Sequence, residues 1–230
     1  MDTIAARLEH IRERIRTAAE AAGRAPESVR LIAVSKGQPS SALCEAYAAG
    51  QRDFGENYVQ ELCKKAEELA DASELRLHMI GHLQRNKAKL VVQHASFLQS
   101  LDGEALALEL DKRRSGSPLP VLIEVGIAGE TQKSGVAPAE LPRLVESVRR
   151  CKNLELRGLM CVPPLGEEPE ASRPYFSRLR QLRDELGGAE TLPELSMGMS
   201  ADFEVAIAEG ATLVRVGTAI FGARAARALG

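Results

Sequence analysis

The sequence lacks the patterns that mark several common classes of protein. Its four cysteines, Cys44, Cys63, Cys151 and Cys161, form no C-x-x-C pair, which argues against a zinc site and against a disulfide framework. The formal net charge of −2 leaves no electrostatic footprint for nucleic acid. No G-x-G-x-x-G motif follows a predicted strand and no Walker loop is present, which weakens dinucleotide and P-loop interpretations.

Long apolar segments are missing as well. The chain begins Met1-Asp2-Thr3-Ile4, without the apolar core of a secretory signal, and no later segment is long enough to cross a membrane. We therefore expect a cytoplasmic protein that binds neither nucleic acid nor membranes. Composition shows no break along the chain, so residues 1–230 are predicted to form one domain with a substantial core. No long apolar surface face stands out, which predicts a monomer.

What the sequence contains is a regular alternation of short apolar strands and amphipathic helices. Ile4, Leu8, Ile11 and Ile15 share one face of a predicted N-terminal helix over residues 2–22, closed by Gly23. Eight predicted strands come after it, each with a helix behind it. This order predicts an α/β fold, a single closed (β/α)₈ TIM barrel with an extra N-terminal helix. An open doubly wound sheet is the alternative fold.

The stretch over residues 31–36, LIAVSK, is apolar almost to its end and closes in a single lysine. It indicates a strand buried on both faces, with Lys36 at its carboxyl end. In parallel barrels that end carries the chemistry. A partly desolvated lysine there loses its proton near neutral pH and becomes an amine nucleophile toward a carbonyl compound. The alternative is a surface lysine whose stem covers the strand end while its ammonium stays in water.

Two loops near the end of the chain combine hydroxyl groups with glycine. Ser200 precedes the helix after predicted strand seven, and Gly217 and Thr218 precede the helix after strand eight. Barrels frequently bind phosphate at these two places. The residues therefore predict a phosphate cup, and the alternative is that Ser200 and Thr218 merely cap their helices.

Arg215 is a permanent cation inside an otherwise apolar strand. A buried guanidinium requires a partner, which is either a ligand or a structural salt bridge to a glutamate such as Glu124 or Glu204. A lysine nucleophile opposite a phosphate cup favours a carbonyl ligand that carries a phosphate. Pyridoxal 5′-phosphate is the cofactor that meets both requirements.

Seven segments, spread from the first predicted strand to the last helix, carry a family resemblance. They are residues 33–36 (AVSK), 54–61 (FGENYVQE), 78–87 (HMIGHLQRNK), 133–135 (KSG), 157–160 (RGLM), 195–202 (LSMGMSAD) and 214–222 (VRVGTAIFG). Together they closely resemble the pyridoxal phosphate homeostasis protein family. The resemblance implies the barrel of the alanine racemase N-terminal domain, with pyridoxal phosphate bound through a lysine. It also implies a carrier and regulator of the cofactor, in transient contact with enzymes that use pyridoxal phosphate.

The resemblance also implies roles for seven residues of this chain. Lys36 would form the Schiff base, and Arg215 would face the pyridine nitrogen. The remaining roles are the phosphate contacts of Ser200, Gly217 and Thr218, a position near the ring for Asn57, and packing against the ring for Met160.

Three functions are consistent with these residues. A charged guanidinium beside the pyridine nitrogen disfavours its protonation and makes the ring a poor electron sink, which favours a carrier without robust catalysis. The alternative enzyme is a pyridoxal phosphate-dependent amino-acid racemase, which needs a second acid or base on the ring face opposite the lysine. Tyr58 and His82 are the candidates for that role, although His78 and His82 are expected to be structural. A Schiff-base aldolase that needs no cofactor is the third function.

Overall fold

A computed structural model of the chain describes residues 3–128, 135–164 and 168–222. Lys133 and Ser134, which belong to the resemblance, lie outside the described residues. So do residues 223–230, at the end of the last predicted helix, and part of the proline-rich stretch from Pro163 to Pro174.

Strands and helices alternate along the chain, as the apolar periodicity predicts. Their bounds are α1 Ile4–Ala21, β1 Arg30–Val34, α2 Ser40–Ala48, β2 Asp53–Glu56, α3 Val59–Glu68, β3 Arg76–Met79, α4 Ala88–His94, β4 Phe97–Leu101, α5 Glu104–Arg113, β5 Leu119–Glu124, α6 Leu141–Arg149, β6 Leu154–Met160, α7 Arg173–Glu185, α8 Gly188–Thr191, β7 Glu194–Ser196, α9 Phe203–Ala208, β8 Leu213–Val216 and α10 Thr218–Phe221.

The eight strands pair in chain order, and β8 returns to β1 to close the barrel. Every pair is parallel, and the closing pair sets Arg30 beside Leu213 and Ala33 beside Val216. This closure confirms the predicted (β/α)₈ barrel and rules out the open sheet. The strands are nearly continuous apolar runs because one face packs under the helices and the other fills the barrel. The apolar part of the interior consists of Ile32, Phe97, Leu122, Met160 and Leu213.

The predicted N-terminal helix is α1, which packs on the outside of the barrel against α2, α9 and α10. Its buried stripe is the one that the sequence predicts, extended by Ala19. Arg14, on another face, donates to Glu204 Oε1 at 2.8 Å and lies over the Phe203 ring at 4.6 Å. Glu204 therefore pairs with α1 and is not the partner of Arg215. Every helix among the described residues is too short or too polar to span a lipid bilayer.

Two predicted strands differ from the observed ones by two residues. The first strand ends at Val34 rather than at Lys36, because Gly37 turns the chain there. The second, which the sequence predicts over residues 51–54, runs from Asp53 to Glu56. Gln51 stays outside that strand because its backbone N–H donates to the Ala46 carbonyl of α2 at 3.0 Å. Its side-chain amide donates to the backbone carbonyls of Leu31 and Asp53, at 2.8 Å each.

Candidate functional site

Lys36 lies in a tight turn just beyond β1. The Gln38 N–H donates to the Ser35 carbonyl at 3.0 Å, which makes Lys36 and Gly37 the two central residues of a β-turn. Gly37 has a φ of +71°, a conformation that residues with a Cβ rarely adopt. The turn holds the partly buried Lys36 at the carboxyl end of the barrel, where the sequence predicts the site.

A buried ion pair and a second carboxylate, that of Glu61, fix the backbone on either side of Lys36. The Lys65 ammonium, on α3, donates to the Ser35 carbonyl at 2.7 Å and to Glu56 Oε1 at 2.6 Å. Ser35 Oγ donates to the same carboxylate oxygen at 2.5 Å. Burial raises the pKa of Glu56, and the charge of Lys65 opposes that shift. Glu61 accepts the Gly37 N–H at 2.7 Å, so the turn is held at both ends.

The Arg215 side chain lies inside the barrel and is 4% exposed. Its Nη1 donates to Ser196 Oγ at 2.6 Å, and its Nη2 donates to the Cys161 carbonyl at 2.9 Å. Desolvation lowers the pKa of Arg215, but a guanidinium remains charged at neutral pH. Arg215 forms no salt bridge with any described residue. The negative charge of Glu124 nevertheless favours the charged form of Arg215. Two of its five N–H donors are therefore in use, both on uncharged acceptors.

Ser200 and Gly217 bring two loops of the rim together. The Gly217 N–H donates to Ser200 Oγ at 3.4 Å. A Cβ on Gly217 would lie 3.0 Å from the carbonyl oxygen of Val34, the last residue of β1, so this glycine allows a close approach to the Lys36 turn. Thr218 is the next residue, and it is exposed.

These two loops offer backbone donors to a ligand. No described residue accepts a hydrogen bond from the backbone N–H groups of Ser200, Ala201, Thr218 or Ala219. The helices behind these loops are short, with six residues in α9 and four in α10, so their dipoles contribute little. The predicted binding of an anion by the cup therefore depends on its N–H groups and hydroxyls.

Asn57 and Met160 complete the predicted set. Asn57 lies just after β2, and its side-chain Oδ1 is buried and has no hydrogen-bond partner among the described residues. The backbone of Asn57 lies against Gly81, where a Cβ would come within 2.3 Å of the Asn57 carbonyl oxygen. Met160 ends β6, is 1% exposed and lines the barrel interior beside Ile32 and Leu213. Both residues therefore lie at the carboxyl ends of their strands, on opposite sides of the barrel mouth.

The sequence patterns do not identify several of the residues that surround this site. Lys65 and Glu56 look like ordinary charges of a helix and a strand end, and only the tertiary structure buries them together. Ser196, Gln99 and His78 form a polar set inside the barrel, and their signal is a polar residue within each apolar strand. No group of three or more histidine, cysteine or acidic side chains among the described residues is arranged to hold a metal ion.

Comparisons with known proteins agree with the barrel fold. The family model described as "Alanine racemase, N-terminal domain" matches residues 6–225. The pyridoxal phosphate homeostasis protein of Pseudomonas aeruginosa is 49% identical over 227 residues, which cover 97% of each chain. That of Escherichia coli is 44% identical over 232 residues, covering 97% of this chain and 98% of the relative.

Two solved structures extend the comparison. The structure of PipY from Synechococcus elongatus with pyridoxal phosphate bound is 40% identical, covers 96% of this chain and 100% of PipY, and gives a TM-score of 0.82. An alanine racemase from Clostridium difficile is 14% identical, with a TM-score of 0.73, and covers 99% of this chain and 58% of the enzyme. The racemase therefore shares the fold alone.

Proposed function

The chain belongs to the pyridoxal phosphate homeostasis protein family, and from that premise we propose that it binds pyridoxal 5′-phosphate at the carboxyl end of its barrel. Lys36 holds the cofactor through a reversible Schiff base, and the protein carries and regulates the cofactor in vitamin B6 homeostasis. The observation that carries the proposal is the convergence of three features at one barrel mouth. They are an amine on a rigid turn, a buried guanidinium with further N–H donors, and a cup of backbone N–H groups that no described residue accepts.

The described residues fit this cofactor at three points. The cup of Ser200, Gly217 and Thr218 offers hydroxyls and N–H donors that match a phosphate. Arg215 offers donors to a pyridine nitrogen from within the barrel. Asn57 has a buried Oδ1 to which no described residue donates, and a polar donor of the ligand would satisfy it.

The cofactor supplies an aldehyde, whose carbon the Lys36 amine attacks with loss of one water molecule in a reversible condensation. The residues around the amine determine whether the cofactor is only held or also used in catalysis. Arg215 is a permanent cation that cannot accept a proton and disfavours a second positive charge on the ring nitrogen. A ring without that charge is a weak electron sink, so retention of the cofactor is favoured over its use in carbanion chemistry.

A racemase is the second candidate, and one observation favours it. His82 lies beyond β3 with its Nδ1 3.0 Å from Asp102 Oδ2, and this pairing orients its imidazole. The His82 side chain is 56% exposed, and Tyr58 is 52% exposed, so neither is enclosed as a second catalytic base requires. We therefore favour the carrier over the racemase.

Further properties belong to the same proposal. Residues 1–230 act as one cytoplasmic, monomeric domain that meets enzymes using pyridoxal phosphate only transiently. The ligand is small, so the function requires neither nucleic acid nor a membrane.

Absorption spectroscopy of the purified protein tests the proposal. Added pyridoxal phosphate should give a yellow band that borohydride bleaches, and Lys36→Ala should lose the band while the exposed-site control Lys64→Ala keeps it. A colourless wild-type mixture, or a band that survives in Lys36→Ala, contradicts the proposal. Deuterium exchange from solvent into alanine or serine at enzyme-like rates would establish the racemase instead.

A further inference from the structure

A continuous polar chain crosses the interior of the barrel. Its members come from five strands: Asp53 on β2, His78 on β3, Gln99 on β4, Ser196 on β7 and Arg215 on β8. All five are at most 4% exposed. Barrel interiors are ordinarily filled by branched apolar side chains, so a connected polar set there needs a reason.

Each link of this chain is a close contact. Arg215 Nη1 donates to Ser196 Oγ at 2.6 Å, and Ser196 Oγ donates to Gln99 Oε1 at 2.6 Å. Gln99 Nε2 lies 2.9 Å from His78 Nδ1, and His78 Nε2 lies 2.9 Å from Asp53 Oδ1. At the far end, Arg76 holds the Asp53 carboxylate through Nε and Nη2, at 2.8 and 2.7 Å.

Only one assignment of protons satisfies every link and also gives the Ser196 O–H an acceptor. The Arg215 guanidinium can only donate hydrogen bonds, so Ser196 Oγ must accept from it. Ser196 then donates its single O–H to the side-chain carbonyl oxygen of Gln99. The amide N–H₂ of Gln99 then faces His78 Nδ1, which must carry the lone pair. His78 is left as the neutral Nε2–H tautomer and donates to Asp53, which only accepts. All donation runs from Arg215 toward Asp53.

The surroundings support this assignment. Burial lowers the pKa of His78, which favours the neutral imidazole. Burial alone would raise the pKa of Asp53, but hydrogen bonds from Arg76 and His78 outweigh it and keep the carboxylate ionised. A protonated Nδ1 would oppose the N–H₂ group of Gln99, and turning the amide over would leave Ser196 without its acceptor. Each side chain therefore fixes the orientation of the next.

We propose that Ser196, Gln99, His78 and Asp53 are positioning residues for Arg215, and that this one-directional chain holds its guanidinium in place against the pyridine ring. The inference rests on the proposed function and extends it to residues with no contact to the cofactor. Arg215 has no salt bridge among the described residues to hold it, so its direction depends on Ser196 Oγ and the Cys161 carbonyl. The chain behind Ser196 determines which way that hydroxyl points.

Gln99 is the link to test, because it lies at the middle of the chain and Ser196 separates it from Arg215. Gln99→Met keeps the length of the side chain but removes both the acceptor for Ser196 and the donor to His78. Gln99→Glu keeps the acceptor and removes the donor. The matched control is Gln93→Met, the same change at an exposed position of α4.

The full chain is titrated with pyridoxal phosphate, and the visible band is followed against pH. In Gln99→Met we expect the Kd for pyridoxal phosphate to rise about tenfold, because Arg215 loses its fixed orientation. For the same reason, the wavelength of the visible band and the pKa at which that band titrates should both shift. Gln93→Met should match wild type in all three. If wild type binds through Lys36 but Gln99→Met has an unchanged Kd and band, the chain does not position Arg215 and the inference fails. If wild type itself does not bind, the proposed function fails instead.

Nitrogen-15 NMR of the cofactor-free protein gives a second readout. It uses the wild type and Gln99→Glu, so it remains available if Gln99→Met folds poorly. Wild-type His78 should show a protonated Nε2 and an unprotonated Nδ1 at neutral pH. Gln99→Glu should convert it to an imidazolium between two carboxylates, with a raised pKa. An Nδ1–H tautomer in wild type, or a neutral imidazole in Gln99→Glu, would overturn the assignment on which the inference depends.

Discussion

Replacing Lys65 by methionine is expected to destabilise the fold by about 3–5 kcal/mol. The Lys65 ammonium lies 2.6 Å from Glu56 Oε1, a separation at which two unit charges attract by about 6 kcal/mol at an effective dielectric constant near 20. Desolvation offsets part of this attraction in the wild type. The variant keeps the desolvated carboxylate and loses its counter-charge, and Glu56 is too buried for water to replace the ammonium.

The loss in Lys65→Met depends on pH in a definite direction. Burial raises the pKa of Glu56 and the ammonium opposes that rise, so the variant raises the pKa further. A carboxyl group with a folded pKa above its unfolded pKa loses stability as the pH rises through the folded value, by up to about 1.4 kcal/mol per pH unit. The deficit relative to wild type should therefore be larger at about pH 8 than at about pH 6.

Urea unfolding followed by circular dichroism measures both effects. Lys65→Met combined with Glu56→Gln removes the stranded charge and should regain most of the lost stability. Lys64→Met is the matched control, because Lys64 is 72% exposed and lies 3.7 Å from Glu68, so its loss should stay within about 0.5 kcal/mol. A Lys65→Met variant as stable as this control would refute the reasoning.

Three further predictions concern the turn, the barrel interior and the cup. Gly37→Ala should cost about 1–2 kcal/mol in urea unfolding, because alanine is strained at a φ of +71°; an unchanged midpoint would contradict the turn geometry. Burial lowers the pKa of His78 below its usual 6.5, so its contribution to stability is complete above about pH 6.5 and falls at lower pH. His78→Gln should flatten that slope in urea titrations across this range, and an equally steep slope would count against a neutral imidazole. Ser200→Ala and Thr218→Val should each weaken pyridoxal phosphate binding about fivefold to tenfold and leave pyridoxal binding unchanged; equal losses for both ligands in equilibrium titrations would contradict the phosphate cup.

The barrel is predictable from the sequence because its signal is local. Each strand is a short apolar run, and each helix carries an apolar stripe such as Ile4, Leu8, Ile11 and Ile15 on α1. Eight such units in order leave few arrangements other than a closed barrel. The position of Lys36, two residues beyond its strand, is less predictable, since it depends on the φ of Gly37 and on a contact with Glu61 from another helix.

The candidate site is predictable where the chemistry of single residues is unusual. Lys36 after an apolar run and Arg215 within one both violate the local pattern, and such violations point to function. The partners of Arg215 are harder to identify, because a polar residue within an apolar strand does not show which other residue it contacts. Ser196 and Gln99 are 97 residues apart in sequence and meet only because the barrel closes. Lys65 is likewise one charge among many on α3 until packing buries it against Glu56.

The position of the covalent adduct tests the central claim most directly. The protein is incubated with pyridoxal phosphate, reduced with borohydride, digested and sequenced by mass spectrometry. The account predicts one reduced pyridoxal phosphate group per chain, attached to the peptide that contains Lys36. An unmodified Lys36, with the label spread over surface lysines such as Lys64 and Lys89, would contradict it.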